Sequence, residues 1–439
     1  MKRVSWLKKI SKVDIPHLDE TVYRYTTEEG LEIHIIEKKG FSKKYAFFGT
    51  RYGSIDNSFM ADGKYYDMPH GIAHFLEHKV FEEEKGDVFE IFSRTGARSN
   101  AYTSHDSTNY LFSCTDRFYE NLETLIGFVQ TLNIDSESVE KEKGIIKQEI
   151  MMYEDNPEWQ AYINILKLLY SNHPVHIDIA GTVESIREID KEKLATCYRT
   201  FYSPKNMIVF LIGDIDRFKA IDVIEGTITN DFKKRDTSIE RIVNEDLDPI
   251  VKEINRESFS IASPIFYMGI KCHQDSEIES DILKKEIFID IFLNSMLGKG
   301  SNLYNDLYEE GMIGKNFGYD YNYGPAYGHI IIGGESEKPE ETYELLKNAF
   351  VEILEKNPKR EDFDRIKKKL KGESLIYLNS LEYIANAYVS AYHKGIDFFN
   401  YFNELEKFDY ETYASMQKNY RIEGKTALSV VYPNDGEVY

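Results

Sequence analysis

The sequence predicts an α+β protein built from two similar halves, each an α/β sandwich. Its 439 residues exceed the usual size of one domain, so two domains are expected. Two apolar segments recur at one offset: 46–49 resembles 266–269 and 209–214 resembles 429–434, both 220 residues apart. Each half also begins with a β-rich stretch and continues with helices. Since one register holds over most of a half, we interpret the halves as an internal repeat.

The boundary between the halves is predicted from a polar stretch near the middle of the chain. Residues 226–249 are rich in charge and show neither helical nor alternating periodicity, as is typical of a linker. We therefore predict an N-terminal domain over 1–228, a linker over 229–249 and a homologous C-terminal domain over 250–439.

Several elements are predicted within these halves. Apolar residues spaced three and four apart indicate helices, with one set at Phe118, Leu122, Leu125 and Val129. A second such helix covers 282–297, where Gly298 can end it. The first half closes with a helix over 195–202, a turn over 203–206 and a strand over 207–212.

Composition excludes several classes of function. The chain is 42% hydrophobic and 29% charged and has no apolar run long enough to span a membrane. Its 75 acidic against 54 basic residues leave a net charge of −21, which disfavours nucleic acids and anionic membranes as partners. Three cysteines without CxxC spacing and a first segment without the apolar core of a secretory signal favour the cytoplasm.

Residues 74–78 read His-Phe-Leu-Glu-His, which is the inverted zinc-peptidase pattern HxxEH. On a helix, His74 and His78 lie one turn apart on one face, where both can bind one metal ion. Glu77, beside them, can accept a proton from a water molecule that the metal activates. Two ordinary surface histidines are the alternative, but the presence of the whole pattern favours the metal.

Such a site needs a third protein ligand, and a downstream carboxylate is the natural candidate. Glu142 and Glu149 lie seven residues apart in an acidic helical stretch and therefore two turns apart on one face. The spacing allows either residue to bind the metal while the other supports the site. Without the upstream motif, both would be interpreted as parts of a solvated acidic helix.

Taken together, these motifs make the chain resemble the pitrilysin or insulinase family of zinc peptidases, and in particular the bacterial relatives of mitochondrial processing peptidase. The resemblance extends over most of the chain and is stronger in the first half. The segments that carry it are Arg51–Ser54, His70–His78, Ser99–Ser104, Glu142 with Gly144–Glu149, and Gly181–Glu184.

The resemblance implies a fold, a cofactor and residue roles. The halves would be sandwiches of the mitochondrial processing peptidase and LuxS metalloenzyme type, joined by the linker to enclose a chamber. One zinc ion per chain would be bound by His74, His78 and Glu149, with Glu77 as the base and Glu142 supporting a histidine. Extended peptides would bind as an added strand along Asn100, Ala101, Tyr102 and Thr103.

The second half departs from the family pattern at two positions. Active members carry an Arg, and seven residues later a Tyr, which stabilise the oxyanion and the substrate carbonyl. Alignment puts Tyr308 and Lys315 at these positions. Because such stabilisation is a large part of catalysis, the chain is expected to be the zinc-bearing subunit of a heterodimer whose homologous partner supplies the Arg and Tyr.

Other interpretations remain open at this level. Tyr308 or Lys315 could replace the missing pair within the chain, or two identical chains could complete the site. The rival from another class is a catalytically silent structural or assembly subunit, because the family also includes members that only scaffold. The intact HxxEH pattern argues against that rival.

Overall fold

A computed structural model describes residues 10–15, 18–83, 86–243, 246–247, 249–272 and 279–434. Its strands are β1 Ser11–Ile15, β2 Glu20–Thr26, β3 Glu32–Glu37, β4 Lys44–Thr50, β5 Ser58–Ala61, β6 Lys64–Asp67, β7 Glu82–Glu83, β8 Gly86–Asp87, β9 Arg98–Thr103, β10 Thr108–Cys114, β11 Met207–Gly213, β12 Ile239–Arg241, β13 Ile254–Phe259, β14 Ile265–Lys271, β15 Gly318–Gly324, β16 Tyr327–Glu335 and β17 Thr426–Pro433.

The α-helices form the second layer of each half, beside the layer of strands. They are α1 Ile72–Phe81, α2 Val88–Arg94, α3 Phe118–Val129, α4 Ser136–Glu154, α5 Pro157–Leu169, α6 Val183–Arg187, α7 Lys191–Phe201, α8 Arg217–Thr227, α9 Asn230–Lys233, α10 Glu279–Leu297, α11 Asn302–Glu309, α12 Pro339–Glu355, α13 Arg360–Tyr377, α14 Leu381–His393, α15 Asn400–Lys407 and α16 Tyr410–Asn419. The helices predicted around 118–129, 195–202 and 282–297 are thereby confirmed as α3, α7 and α10.

The chain forms two compact units. The first contains a seven-stranded sheet in the order β1-β2-β3-β11-β4-β10-β9, in which β11 is parallel to β3 and antiparallel to β4. The apolar face of α3, including Leu122 and Leu125, packs into a core beneath this sheet. At the sheet edge, β9 pairs with β10 alone among the described strands.

The second unit contains a five-stranded sheet in the order β13-β17-β14-β16-β15. This order repeats β3-β11-β4-β10-β9 of the first sheet, including the parallel pairing of β13 with β17. The predicted α+β fold with two similar halves is therefore confirmed. The matched segments 46–49 and 266–269 lie on the equivalent strands β4 and β14.

One helix of each half packs in the unit formed mainly by the other half. The first unit comprises Met1–Ile150, Asp178–Ile242 and Ile376–Phe398, and the second comprises Met151–Ile177, Val243–Leu375 and Phe399–Tyr439. Thus α14 covers β4 and β11, whereas its counterpart α5 covers β14 and β17.

Two equivalent glycines leave room for these exchanged helices to pack closely against the sheets. A Cβ on Gly49 of β4 would lie 2.8 Å from His393 of α14, and one on Gly269 of β14 would lie 2.7 Å from Ile165 of α5. Both glycines belong to the repeated apolar segments. The repeat therefore preserves the close approach of a helix to the sheet as well as the strand itself.

The stretch predicted as a linker contains two short elements and one buried carboxylate. Within it lie α9 and β12, and β12 pairs with β5 in a three-stranded sheet with β6. Asp246 accepts hydrogen bonds from the backbone N–H groups of Asn172 and His173 and forms an ion pair of 2.6 Å with Lys271. These contacts hold Asp246 within the second unit, whereas α9 and β12 belong to the first.

Two further observations concern the whole described chain. Over the residues that the structure describes, no helix is long and apolar enough to cross a membrane. Cys114, Cys197 and Cys272 are free thiols and are buried. Burial raises the pKa of each of these thiols, which keeps them protonated at neutral pH.

Candidate metal centre

The helix that carries the HxxEH motif begins where two glycine backbones meet. Gly71, with φ of +86°, precedes α1, and a Cβ there would lie 2.3 Å from the carbonyl oxygen of Ala180. A Cβ on Gly181 would likewise lie 2.5 Å from the carbonyl oxygen of His70, which also accepts a 2.8 Å hydrogen bond from Ser185 Oγ. This tight packing sets the position of the first turn of α1.

His74 and His78 project from one face of α1 toward α4. Their ring centroids are 4.6 Å apart, and the Nε2 atom of each lies 3.6 Å from a different carboxylate oxygen of Glu149. One ligand atom from each of the three residues lies within 4.8 Å of the others. The structure therefore brings together the three residues that the sequence and its resemblance propose as ligands.

Glu142 contacts the other side of the same site. Its Oε1 atom lies 2.9 Å from Nδ1 of His78 and accepts a hydrogen bond from it. Because Glu142 and Glu149 are two turns apart on α4, one reaches Nδ1 and the other faces Nε2 of the same imidazole. The two carboxylates thus have different positions, which their spacing in the sequence does not reveal.

Burial and charge give the two histidines opposite properties. Burial, with a smaller effect of the neighbouring His78, lowers the pKa of His74 to about 3, so this imidazole is neutral at neutral pH. Burial also acts against the charged form of His78, but its hydrogen bond to Glu142 and the charges of Glu77, Glu142 and Glu149 together raise its pKa. Three carboxylates around two imidazoles create an environment that favours a cation.

Glu77 lies on α1 beside the ligands and is linked to the sheet edge. Thr103 Oγ1, at the end of β9, donates a hydrogen bond of 2.7 Å to Glu77 Oε2. Burial raises the pKa of Glu77, while this hydrogen bond and the charge of His78 lower it in part. A carboxylate with a raised pKa is suited to accept and return a proton.

The four residues predicted to bind substrate lie on the edge strand. Asn100, Ala101, Tyr102 and Thr103 belong to β9, which packs against α1 and is partly exposed. Their register is set by β10, where Thr108 faces Thr103 and Leu111 faces Asn100. The other edge of β9 pairs with no described strand, so its backbone groups can accept an added strand.

The remaining predicted residues lie in the second unit. Tyr308 is on α11 and is 44% exposed, and Lys315 is an exposed residue of the loop before β15. The hydroxyl of Thr103 is a site contact that the sequence does not predict, because only the strand order brings it to Glu77. Gly71 and Gly181 lie within motifs that carry the family resemblance. Their close packing gives the physical reason why these two positions require glycine.

The donor set fits a zinc ion. Two imidazole nitrogens and a carboxylate oxygen are the ligand types of catalytic zinc sites, and zinc bonds of about 2.0–2.1 Å in a tetrahedron place neighbouring ligand atoms roughly 3.4 Å apart. The 3.6 Å separations between the imidazoles and Glu149 are close to that spacing and too long for good hydrogen bonds. His78 is also oriented by Glu142, as zinc-binding histidines usually are.

Comparison with known protein families covers both halves of the chain. Residues 60–183 match the family described as insulinase (peptidase family M16), and residues 188–370 match the family described as the peptidase M16 inactive domain. The first match contains all of α1 and α4, including all of the residues around the metal site. The second match contains α10 and α11.

Individual relatives agree with these matches. The uncharacterized zinc protease YmfH of Bacillus subtilis (strain 168) is 39% identical over 92% of this chain and 94% of its own length. The zinc protease PqqE of Helicobacter pylori is 24% identical over 72% of the chain and 73% of its own length. A crystal structure described as that of an M16-like peptidase from Alicyclobacillus acidocaldarius has a TM-score of 0.91 and 33% identity, with 97% of this chain and 100% of that chain covered. The chain therefore belongs to the insulinase, or M16, family of peptidases.

Proposed function

We propose that the chain is a zinc metallo-endopeptidase that cleaves peptides or unfolded segments. The observation that carries the proposal is the convergence of His74, His78 and Glu149 within 4.8 Å, next to the buried carboxylate of Glu77. These three residues would hold one zinc ion per chain. When bound, zinc acts as a Lewis acid toward the scissile carbonyl and lowers the pKa of a water molecule.

The protein groups then have separate tasks. Glu77 accepts a proton from the attacking water and returns it to the leaving amine. Thr103 holds the Glu77 carboxylate in position through its hydrogen bond. Glu142 fixes the orientation of the His78 ring and keeps the proton on Nδ1, so that Nε2 is available as a ligand.

The substrate is proposed to be an extended peptide. A peptide that pairs with the free edge of β9 along Asn100, Ala101, Tyr102 and Thr103 would pass beside α1, since Thr103 touches Glu77. Edge pairing uses backbone hydrogen bonds and therefore requires an unfolded segment. A folded protein domain would not supply a free strand at this place.

We further propose that this chain is the zinc-bearing subunit of a heterodimer. The resemblance leads us to expect an Arg and a Tyr where the sequence has Tyr308 and Lys315, so a homologous partner would supply that pair. We also propose that the chain consists of an N-terminal domain over 1–228, a linker over 229–249 and a C-terminal domain over 250–439. The proposed location is the cytoplasm. The free, buried thiols support the location.

The test is a cleavage assay on unstructured peptides with zinc, using the purified chain alone and mixed with a homologous subunit. We expect little activity alone and a large increase in the mixture, which the Glu77→Gln variant abolishes. Full activity of the chain alone would remove the heterodimer and favour substitution by Tyr308 or Lys315, or a homodimer. A chain that neither binds zinc nor cleaves in any mixture would instead be a structural subunit.

A further inference from the structure

The second unit contains a counterpart of the metal site in which the ligands are replaced. In the element order, α10 occupies the place of α1, and when 288–297 is aligned with 72–81, five of the six buried residues of α1 match buried residues of α10. The exception is Lys79, which is aligned with the half-buried Ser295. This alignment places Asp290 at the position of His74 and Asn294 at that of His78.

The helix α13 likewise corresponds to α4. Its buried residues Phe363, Ile366 and Leu370 repeat Val139, Glu142 and Ile146 at a constant offset. The same offset places Glu373 at the position of Glu149, and Lys369 one turn before it. An apolar Ile366 thus replaces the carboxylate that orients His78.

In this counterpart a lysine ammonium is the cation. Lys369 Nζ donates a hydrogen bond of 2.6 Å to Asn294 Oδ1 and lies 3.6 Å from Glu373 Oε1. These two partners are the counterparts of His78 and Glu149. The second half therefore retains the arrangement of the site but has two carboxylates, an amide and a tethered ammonium in place of the metal-binding set.

A cavity of about 570 Å³ opens beside this cluster. Its apolar and aromatic lining includes Tyr304, Phe317 and Tyr319, and its charged lining is Lys299, Arg365, Lys369 and Glu373. Three of the four charged lining residues are cations, on a chain with a net charge of −21, whereas the carboxylate of Asp290 acts on Tyr319 from outside the lining. Among the described residues Lys299 forms no ion pair, and Arg365 pairs only with the exposed Asp362 at 3.1 Å.

The cavity also lies next to an edge strand. Tyr319 belongs to β15, which is the counterpart of β9 and, within the described part of the chain, pairs only with β16. In the second unit the cavity thus lies beside the edge strand β15, just as the metal site of the first unit lies beside the edge strand β9. An extended peptide beside β15 directs alternate side chains, at positions i and i+2, toward the cavity.

We infer that this cavity is a binding subsite for an extended peptide segment that carries an acidic side chain two residues away from an aromatic one, so that both lie on the same face of the strand. The carboxylate pairs with Lys299 and Arg365, and the aromatic ring packs among Tyr304, Phe317 and Tyr319. The subsite holds the substrate and does not take part in cleavage. The inference rests on the proposed peptidase function in one respect only, namely that the ligand is a peptide.

The inference is tested by binding rather than by cleavage. A fluorescein-labelled ten-residue peptide with a central Glu-Ala-Phe sequence is titrated with the full chain in EDTA, and anisotropy gives Kd. The matched probe has Gln-Ala-Phe. We expect the Lys299→Gln/Arg365→Gln variant to bind the Glu peptide roughly tenfold more weakly, and the wild-type chain to prefer Glu over Gln to a similar degree.

Lys368→Gln is the matched control, because Lys368 is exposed on α13 but does not line the cavity. It should bind the Glu peptide like the wild type. Since the altered side chains are exposed, all variants should keep the wild-type Tm. Equal affinity for both peptides, or an unchanged Kd in the double variant, would overturn the inference.

A photo-crosslinking probe distinguishes this subsite from the proposed active site. With benzoylphenylalanine in place of Phe in the Glu peptide, crosslinks should map to 297–304, 317–319 or 365–373. Crosslinks confined to α1 and β9 would contradict the subsite. Binding of the peptide without any cleavage in zinc, both by the chain alone and in the mixture with the homologous subunit, would contradict the proposed function and leave the subsite supported.

Discussion

Thr103 and Glu77 are joined by a hydrogen bond of 2.7 Å that links the edge strand β9 to the motif helix α1. The donor comes from the last residue of β9 and the acceptor is the proposed base. One contact therefore relates the strand on which a peptide is proposed to bind to the group that is proposed to handle its proton. The same bond favours the ionised form of Glu77, against the effect of burial.

Replacing Thr103 by Val should lower kcat about tenfold and leave the zinc content unchanged, because the lost hydrogen bond involves a charged acceptor. Without that bond the pKa of Glu77 rises further, so the acidic limb of the pH–rate profile should move to higher pH. Thr103→Ser keeps the hydroxyl and should restore both quantities. A Val variant with wild-type kcat and pH profile would show that the contact has no part in positioning the base.

Replacing Glu142 by Gln should weaken zinc binding about 10- to 100-fold, since His78 loses a charged acceptor at Nδ1. Competition with a chromophoric chelator measures this affinity directly. Glu140→Gln is the control, because Glu140 lies on the same helix, is exposed and pairs with Lys143. Equal losses in both variants would mean that general acidity of α4, and not the bond to His78, determines affinity.

Gly71→Ala should destabilise the chain by about 2–4 kcal/mol, because a Cβ would collide with the carbonyl of Ala180 in a backbone conformation that already disfavours side chains. Gly63→Ala is a matched control. Gly63 has a similarly positive φ of +76°, but a Cβ there meets nothing within 4 Å, so only about 1 kcal/mol should be lost. Thermal unfolding measures both, and equal losses would exclude the contact with Ala180 as the cause.

Asp246→Asn should reduce stability near neutral pH by about 2–4 kcal/mol, since it removes the partner of the buried Lys271. Burial alone would raise the pKa of Asp246, but the hydrogen bond from Lys271 and the backbone N–H groups of Asn172 and His173 lower it to about 2. A lowered pKa stabilises the fold above the unfolded value near 3.8, and this contribution is lost as pH falls toward 2.

The difference between wild type and Asp246→Asn should therefore narrow by about 1 kcal/mol between pH 5 and pH 3. Denaturant unfolding at the two pH values measures it. Asp236→Asn is the control, because its ion pair with Lys205 is exposed and should contribute little at either pH. A difference that widens in acid would contradict the ionised state of Asp246.

The sequence predicts most of the proposed metal site because its information is local. The spacing of His74 and His78 places both on one helical turn, and the seven-residue spacing of Glu142 and Glu149 places both on one face of α4. Spacing alone does not say which carboxylate faces Nε2, and the resemblance to the family was needed for that choice. The structure has Glu142 at Nδ1 and Glu149 opposite Nε2.

Features that depend on distant parts of the chain could not be predicted in this way. The pattern of an amphipathic helix shows which face is buried but not which sheet covers it, so the exchange of α5 and α14 is not visible in the sequence. Thr103 reaches Glu77 only because β9 is the edge strand beside α1. Asp246 lies in a charge-rich stretch that is typical of a linker, yet it is buried against Lys271.

The central claim is that His74, His78 and Glu149 bind one zinc ion that Glu77 uses for peptide cleavage. Its most direct test measures zinc per chain and peptide cleavage, in the presence of a homologous subunit, for the wild type, Glu149→Gln and Glu77→Gln. We expect one zinc ion per chain and cleavage for the wild type, loss of both in Glu149→Gln, and retained zinc without cleavage in Glu77→Gln. A wild-type chain without zinc, or a Glu77→Gln variant that still cleaves, would contradict it.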